Sequence, residues 1–144
     1  MKIAILGCGN MGLAFARSFL QYELVKKENL LLIEKNDERC RMLTKTQEGV
    51  IVNVINENIS NYDLVILAVK PQDFDVLAHD LKGKLSESQI VLSIMAGINI
   101  SKIQDMIQHK FIVRAMPNTP AMMGMGITGF TSAEGISISK LFKV

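Results

Sequence analysis

The sequence predicts an α/β fold: a doubly wound, mostly parallel sheet with helices on both faces. Three observations carry this. Short apolar runs of strand length recur at residues 3–6, 30–33, 63–69 and 90–94, as strands buried on both faces require. The stretches between them place apolar residues at helical spacing, so strand and helix alternate along the chain. Glycine or proline follows three of these four runs closely, at Gly7, Pro71 and Gly97, which sets tight turns at one edge of the sheet. At 144 residues the chain has the size of one domain. Such a chain buries roughly 70% of its unfolded surface, enough for a single core.

The first strand runs into Gly7-Cys8-Gly9-Asn10-Met11-Gly12, glycines spaced G-x-G-x-x-G, and then into an apolar-periodic helix over 13–20. Each glycine has its own task. Gly7 permits the turn, Gly9 lets a pyrophosphate approach bare backbone, and Gly12 lets helix and strand pack closely. The unpaired N–H groups and positive dipole end of the helix beginning near Asn10 suit phosphate. Strand, glycine turn and helix in this order predict a Rossmann-type dinucleotide-binding unit; the alternative is a glycine turn without ligand. Cys8 carries either a thiol acidified by the helix N-terminus or a small side chain that fills the turn.

The second strand ends at Glu34, 22 residues past Gly12, near the spacing at which such folds set an acid against the adenosine ribose hydroxyls. A surface carboxylate at a strand end is the other reading. Asn36 or Asp37 caps a helix over 38–46. Glu34 repels a 2′-phosphate and points to NAD, whereas Lys35, Asn36 and Arg39 can surround that phosphate and point to NADP. Residues 49–55 form a β-branched third strand and 63–69 a fourth. Pro71, at the first helical position, starts a helix to about Leu81. Lys70 is then either a cofactor ligand or only the residue before a helix. After a fifth strand over 90–94 come the small-residue turn Met95-Ala96-Gly97 and a helix over 98–108 with Ser101 as its cap. A sixth strand over 111–115 delivers Met116-Pro117-Asn118-Thr119-Pro120, a rigid polar loop at the sheet edge where open α/β sheets hold ligands. Residues 121–126 are Met- and Gly-rich and read as packing. Residues 127–131 read as one more strand and 132–144 as an amphipathic stub.

Composition narrows the chemistry. Sixteen Lys+Arg against 14 Asp+Glu give a net charge of +2 and no basic stripe, so no nucleic acid partner is expected. No 18-residue apolar run and no signal-peptide pattern occur, so a cytoplasmic protein without a membrane partner is expected. Two cysteines fit reduced thiols, and two isolated histidines, His79 and His109, offer no metal-ligand spacing. G-x-S-x-G is missing and no Cys–His pair presents a nucleophile. What remains is cofactor-binding hardware, with the chemistry left to the cofactor.

Three stretches together resemble one family. Gly7 to Gly12, Ala68-Val69-Lys70-Pro71 and Arg114-Ala115-Met116-Pro117-Asn118-Thr119-Pro120-Ala121, with Ser93-Ile94-Met95-Ala96-Gly97 between them, are similar to pyrroline-5-carboxylate reductase over nearly all of residues 1–131. The proline-bracketed loop is the most specific of these. The resemblance implies hydride transfer from NAD(P)H to 1-pyrroline-5-carboxylate, giving L-proline, with a leaning to NADPH. By position it implies pyrophosphate contacts at Leu6, Gly7, Cys8, Gly9, Asn10, Met11 and Gly12. It implies adenosine contacts at Glu34, Lys35, Asn36 and Asn56, and nicotinamide contacts at Ala68, Val69, Lys70, Pro71, Met95, Ala96 and Gly97. Met116, Pro117, Asn118 and Thr119 would lie beside the nicotinamide and substrate. Family members often carry a neutral or basic residue where this chain has Glu34. The family continues with a helical domain that dimerises, holds the substrate carboxylate and supplies a hydroxyl near the reacting imine. Catalytic residues are therefore expected outside this chain, the chain alone is expected to bind dinucleotide without turnover, and full-length members are expected to be homo-oligomers. On this reading residues 1–131 are the NAD(P)-binding domain and 132–144 the stub of a linker. Competing readings are a free-standing NAD(P)-binding module, another dehydrogenase of similar sheet order, and an S-adenosylmethionine-dependent methyltransferase.

Overall fold

Strands that are apolar at every position have no face to give to water, so both sides of their sheet must be covered. The computed structural model, which describes residues 1–118, 128–142 and 144, meets that demand. Seven strands form one sheet: β1 (Ile3–Leu6), β2 (Leu30–Ile33), β3 (Val50–Val52), β4 (Leu64–Leu67), β5 (Ile90–Ser93), β6 (Ile112–Pro117) and β7 (Thr128–Ser132). Their order is 3-2-1-4-5-6-7, parallel throughout except that β7 runs antiparallel to β6, with Ala115 opposite Phe130. Every residue of β1, β2, β4 and β5 is buried.

Alternate side chains of these strands feed two cores. Ala4, Leu6, Leu31, Val65 and Val91 pack against α3 (Phe74–Leu81) and α4 (Ile100–Ile107), where Phe74, Leu81 and Ile103 are fully buried. Ile3, Ile5, Leu32, Ile66 and Leu92 pack on the other face with Ala16 of α1 (Asn10–Gln21) and Leu43 of α2 (Asp37–Thr46). The chain moves outward from β1 to β3, then returns to place β4 against the other side of β1. Connections leaving β1 and β4 therefore diverge, and a crevice opens at the carboxyl ends of these strands.

Local chemistry meets the sequence expectation at Asn36 and departs from it at other points. Asn36 caps α2 by accepting from Arg39 N at 2.9 Å. In α4 the cap is Asn99, whose Oδ1 accepts from Lys102 N at 2.8 Å, and not Ser101. Asn99 has the extended backbone a cap needs (φ −81°, ψ 164°), while Ser101 already lies in the first turn and donates to Asn99 Oδ1. Pro71 opens a 3₁₀ turn, Pro71–Asp73, and the α-helix starts only at Phe74. The third strand spans three residues rather than seven. Beyond β7, Ala133 is buried and Lys140 of α5 (Ile138–Leu141) places Nζ 3.3 Å above the Phe111 ring, so this segment packs on the sheet domain. The expectations for Thr119, Pro120, residues 121–126 and Ile127 lie outside the described residues. Among the described residues no helix is long and apolar enough to cross a membrane.

Candidate functional site

Leu6 closes β1, and the ladder carries one residue past the strand ends: Gly7 N donates to Ile33 O at 2.9 Å and Ala68 N to Leu6 O at 2.8 Å. Gly7 then turns the chain with φ +97°, and a Cβ there would stand 2.8 Å from Val69. At Gly12 a Cβ would come to 2.1 Å from the Gly7 carbonyl oxygen, so α1 rests directly on the turn. Gly9 is the opposite case. A Cβ there meets nothing within 4 Å, because the backbone faces open space. Immediately after it α1 begins with no side-chain cap and no acid in its first turn, whereas α2, α4 and α5 are each capped by Asn or Ser. Among the described residues no side chain takes up the leading N–H donors of α1.

A cavity of about 580 Å³ opens in front of this turn, at the crevice beside the carboxyl ends of β1, β2, β3 and β4. Of the residues singled out from sequence it gathers Leu6, Gly7, Cys8, Gly9, Glu34, Lys35, Asn36, Ala68, Val69 and Lys70. Asn10, Met11 and Gly12 start α1 and are not on its wall. Asn56 is not on the wall either: its side chain accepts from Asn58 N at 3.0 Å and caps a 3₁₀ turn, while Asn53, Val54 and Ile55 line the cavity instead. Pro71 begins the next turn outside it. Met95, Ala96, Gly97, Met116, Pro117 and Asn118 stand at or beyond the ends of β5 and β6 on the same sheet edge, outside this cavity. The wall also includes Asp73, Val76, Leu77 and Asp80, which motif reasoning passed over. Their spacing, i, i+3, i+4, i+7, is that of one helix face, and that was the available signal.

Glu34 is 9% exposed and lines the cavity wall. Its Oε1 accepts from Asn36 N at 2.9 Å and its Oε2 from Cys8 N at 3.3 Å, with Arg39 Nη1 at 3.9 Å. The acid at the end of β2 thus braces the glycine turn. Lys35 Nζ meets Asp80 Oδ2 at 3.4 Å, but both ends are solvated and the pair is worth little. Lys35, Arg39, Lys70 and Lys84 stand against Glu34, Asp73 and Asp80 on the wall, an excess of one positive charge that suits an anionic ligand. Burial first, then the Glu34 charge, push the Cys8 thiol up to about 12. Desolvation outweighs the helix N-terminus, so Cys8 is a protonated filler of the turn, its Sγ donating to Ile33 O at 3.7 Å. Among the described residues no three His, Cys, Asp or Glu side chains gather as a metal site needs. The arrangement suits a phosphate-bearing ligand.

Residues 2–97 match the family model described as NADP oxidoreductase, coenzyme F420-dependent. The chain is 34% identical over 146 residues to the pyrroline-5-carboxylate reductase of Aquifex aeolicus, covering 100% of this chain and 52% of that protein. It is 32% identical over 133 residues to that of Staphylococcus haemolyticus, covering 91% and 49%. Among solved structures it superposes on the Plasmodium falciparum pyrroline carboxylate reductase with NADP bound, at TM-score 0.82 and 28% identity, over 99% of this chain and 52% of that one. The Coxiella burnetii pyrroline-5-carboxylate reductase shares the fold at TM-score 0.89 and 24% identity, over 98% and 53%. The chain spans about half the length of the relatives it matches. By this match and by the glycine turn, parallel sheet and crevice that accompany it, the chain belongs to the NADP oxidoreductase, coenzyme F420-dependent family.

Proposed function

We propose that this chain is the nicotinamide-dinucleotide-binding domain of an oxidoreductase that reduces 1-pyrroline-5-carboxylate to L-proline. The observation that carries the binding is the open space at Gly9 beside the uncapped first turn of α1, a cradle that a Cβ would begin to fill. The substrate rests on likeness to the reductases of Aquifex aeolicus and Staphylococcus haemolyticus. In this reading the N–H groups of Asn10 and Met11 hold the pyrophosphate, and the adenosine half lies toward Glu34, Asn36 and Asn53. The nicotinamide half crosses the switch point past Val69 and Lys70 toward the turns that follow β5 and β6. When bound, the reduced nicotinamide supplies the hydride. This chain's residues fix where that ring sits and wall it from water.

At the adenosine end we infer a preference for NADH over NADPH. Glu34 presents a buried, backbone-anchored carboxylate where a ribose hydroxyl can donate to it and a 2′-phosphate is repelled. Calorimetric titration of the purified chain with NADH and NADPH tests both statements. NADH binding that is lost in Gly9→Val, with the circular dichroism spectrum unchanged, is the expected result. In Glu34→Gln the NADH-to-NADPH affinity ratio should fall about tenfold, because the acceptor for Cys8 N stays while the charge goes. Folded wild-type chain that binds neither dinucleotide overturns the binding reading. Tighter NADPH binding by wild type overturns the preference and assigns the 2′-phosphate to Lys35, Asn36 and Arg39.

A further inference from the structure

Arg114 is a half-buried cation that no acid among the described residues answers. It sits on β6 opposite Ser93 of β5 and Thr131 of β7. Among the described residues no carboxylate pairs with it. Its Nε is buried without an acceptor, a costly condition for a charged donor. Its Nη2 donates to the Met95 carbonyl at 3.4 Å and lies 3.4 Å from Met116 Sδ. Met95 is held from its other side as well, since its N–H donates to Ser93 Oγ at 3.3 Å. Ser93 is wholly buried and Met95 is 2% exposed. The peptide entering Met95 is thus tied to β5 and the one leaving it to β6. Past these ties the turn exposes Ala96 and Gly97, the latter at φ +72°, on the side of the switch point opposite Glu34.

We propose that Arg114 is a positioning residue for the nicotinamide end of the site, strapping the Met95–Gly97 turn to β6 so that its place beside the Met116–Asn118 end of that strand is set before ligand arrives. The proposal rests on the dinucleotide reading above. An apolar side chain would fill the same place without stranding a charged donor, so stability alone does not account for the guanidinium. A fixed separation between the Met95–Gly97 turn and the end of β6 does, because that turn lies past the last paired residue of β5, Ser93, and has no strand partner of its own.

The test separates the two halves of the ligand. Wild type, Arg114→Met and Arg114→Lys are titrated with NADH and with ADP-ribose, which lacks the nicotinamide. If wild type takes only NADPH, that dinucleotide and 2′-phospho-ADP-ribose serve instead. Arg114→Met should weaken the dinucleotide about tenfold and the ADP-ribose ligand less than twofold, the loss expected for one charged hydrogen bond. Arg114→Lys keeps a donor without the planar fork and should recover part of the difference. Should Arg114→Met fail to fold, a loss confined to the dinucleotide in Arg114→Lys carries the same meaning. Equal weakening of both ligands, or no weakening of either, overturns the positioning role while leaving dinucleotide binding intact. Wild type that binds no ligand overturns both.

Discussion

Two glycines three positions apart in one motif are held for opposite reasons. Gly12 has no room for a side chain, since a Cβ would sit 2.1 Å from the Gly7 carbonyl oxygen, whereas Gly9 has nothing within 4 Å. Gly12→Ala must push α1 off the turn and should cost about 3 kcal/mol in urea unfolding, the upper range for overpacking. Gly9→Ala should stay within about 1 kcal/mol of wild type in the same measurement, because only the helix cap changes. A comparable loss in the two variants would remove the distinction between a glycine held by packing and one that faces open space. Glu34 shows the limit of spacing as a guide. Its distance from Gly12 placed it at the end of β2, where it lines the cavity, but spacing did not foretell that the carboxylate is also anchored on Cys8 N and Asn36 N. Which way a side chain turns depends on donors contributed by distant parts of the chain.

Elements were legible where their signal is local. Runs such as Leu30 to Ile33 and Leu64 to Leu67 are strands because apolar residues in that density have to be covered on both faces. Caps were less legible, since Asn99 and Ser101 are both competent and only backbone conformation chooses between them. Asn99→Ala should lower stability by about 1 kcal/mol, whereas Ser101→Ala should change it by less than about 0.5 kcal/mol. The unfolding midpoints of the two variants decide the matter, and the reverse order would return the cap to Ser101. The face of α3 that carries Val76, Leu77 and Asp80 was written in its periodicity, but periodicity cannot say that this face borders the cavity. That follows from where the helix is laid across the sheet.

The molecule as a whole divides its labour between the two edges of the sheet. The carboxyl edge holds the glycine turn and the cavity in front of it; the amino edge holds a buried polar knot. There Gln89 donates to Ile59 O at 2.7 Å and to Tyr62 O at 2.6 Å, and His109 Nε2 meets the Gln89 carbonyl at 2.9 Å. Burial lowers the His109 pKa from 6.5, and the Lys140 charge adds to that, while the Gln89 bond opposes them. A depressed histidine pKa means that the unfolded chain takes up the proton first. The contribution of His109 to stability is therefore complete above pH 6.5 and is lost as pH falls below it toward the folded value. Thermal unfolding between pH 8 and pH 5 should show a steeper acid-side fall in wild type than in His109→Gln. Parallel curves would show that His109 is not buried as a neutral ring.

What the sequence determined by itself was the alternation of buried strands and helices, the glycine turn and its place after the first strand. Those features rest on contacts within a few residues of one another, so composition and spacing suffice to encode them. Tertiary structure alone decided that Glu34 braces the turn, that Asn56 leaves the wall to Asn53, Val54 and Ile55, that β7 runs antiparallel, and that Arg114 reaches Met95. Apart from the local Asn56 cap, each of these joins segments far apart in the chain, and the geometry of such a meeting is set by sheet order and register, which no short stretch of residues contains.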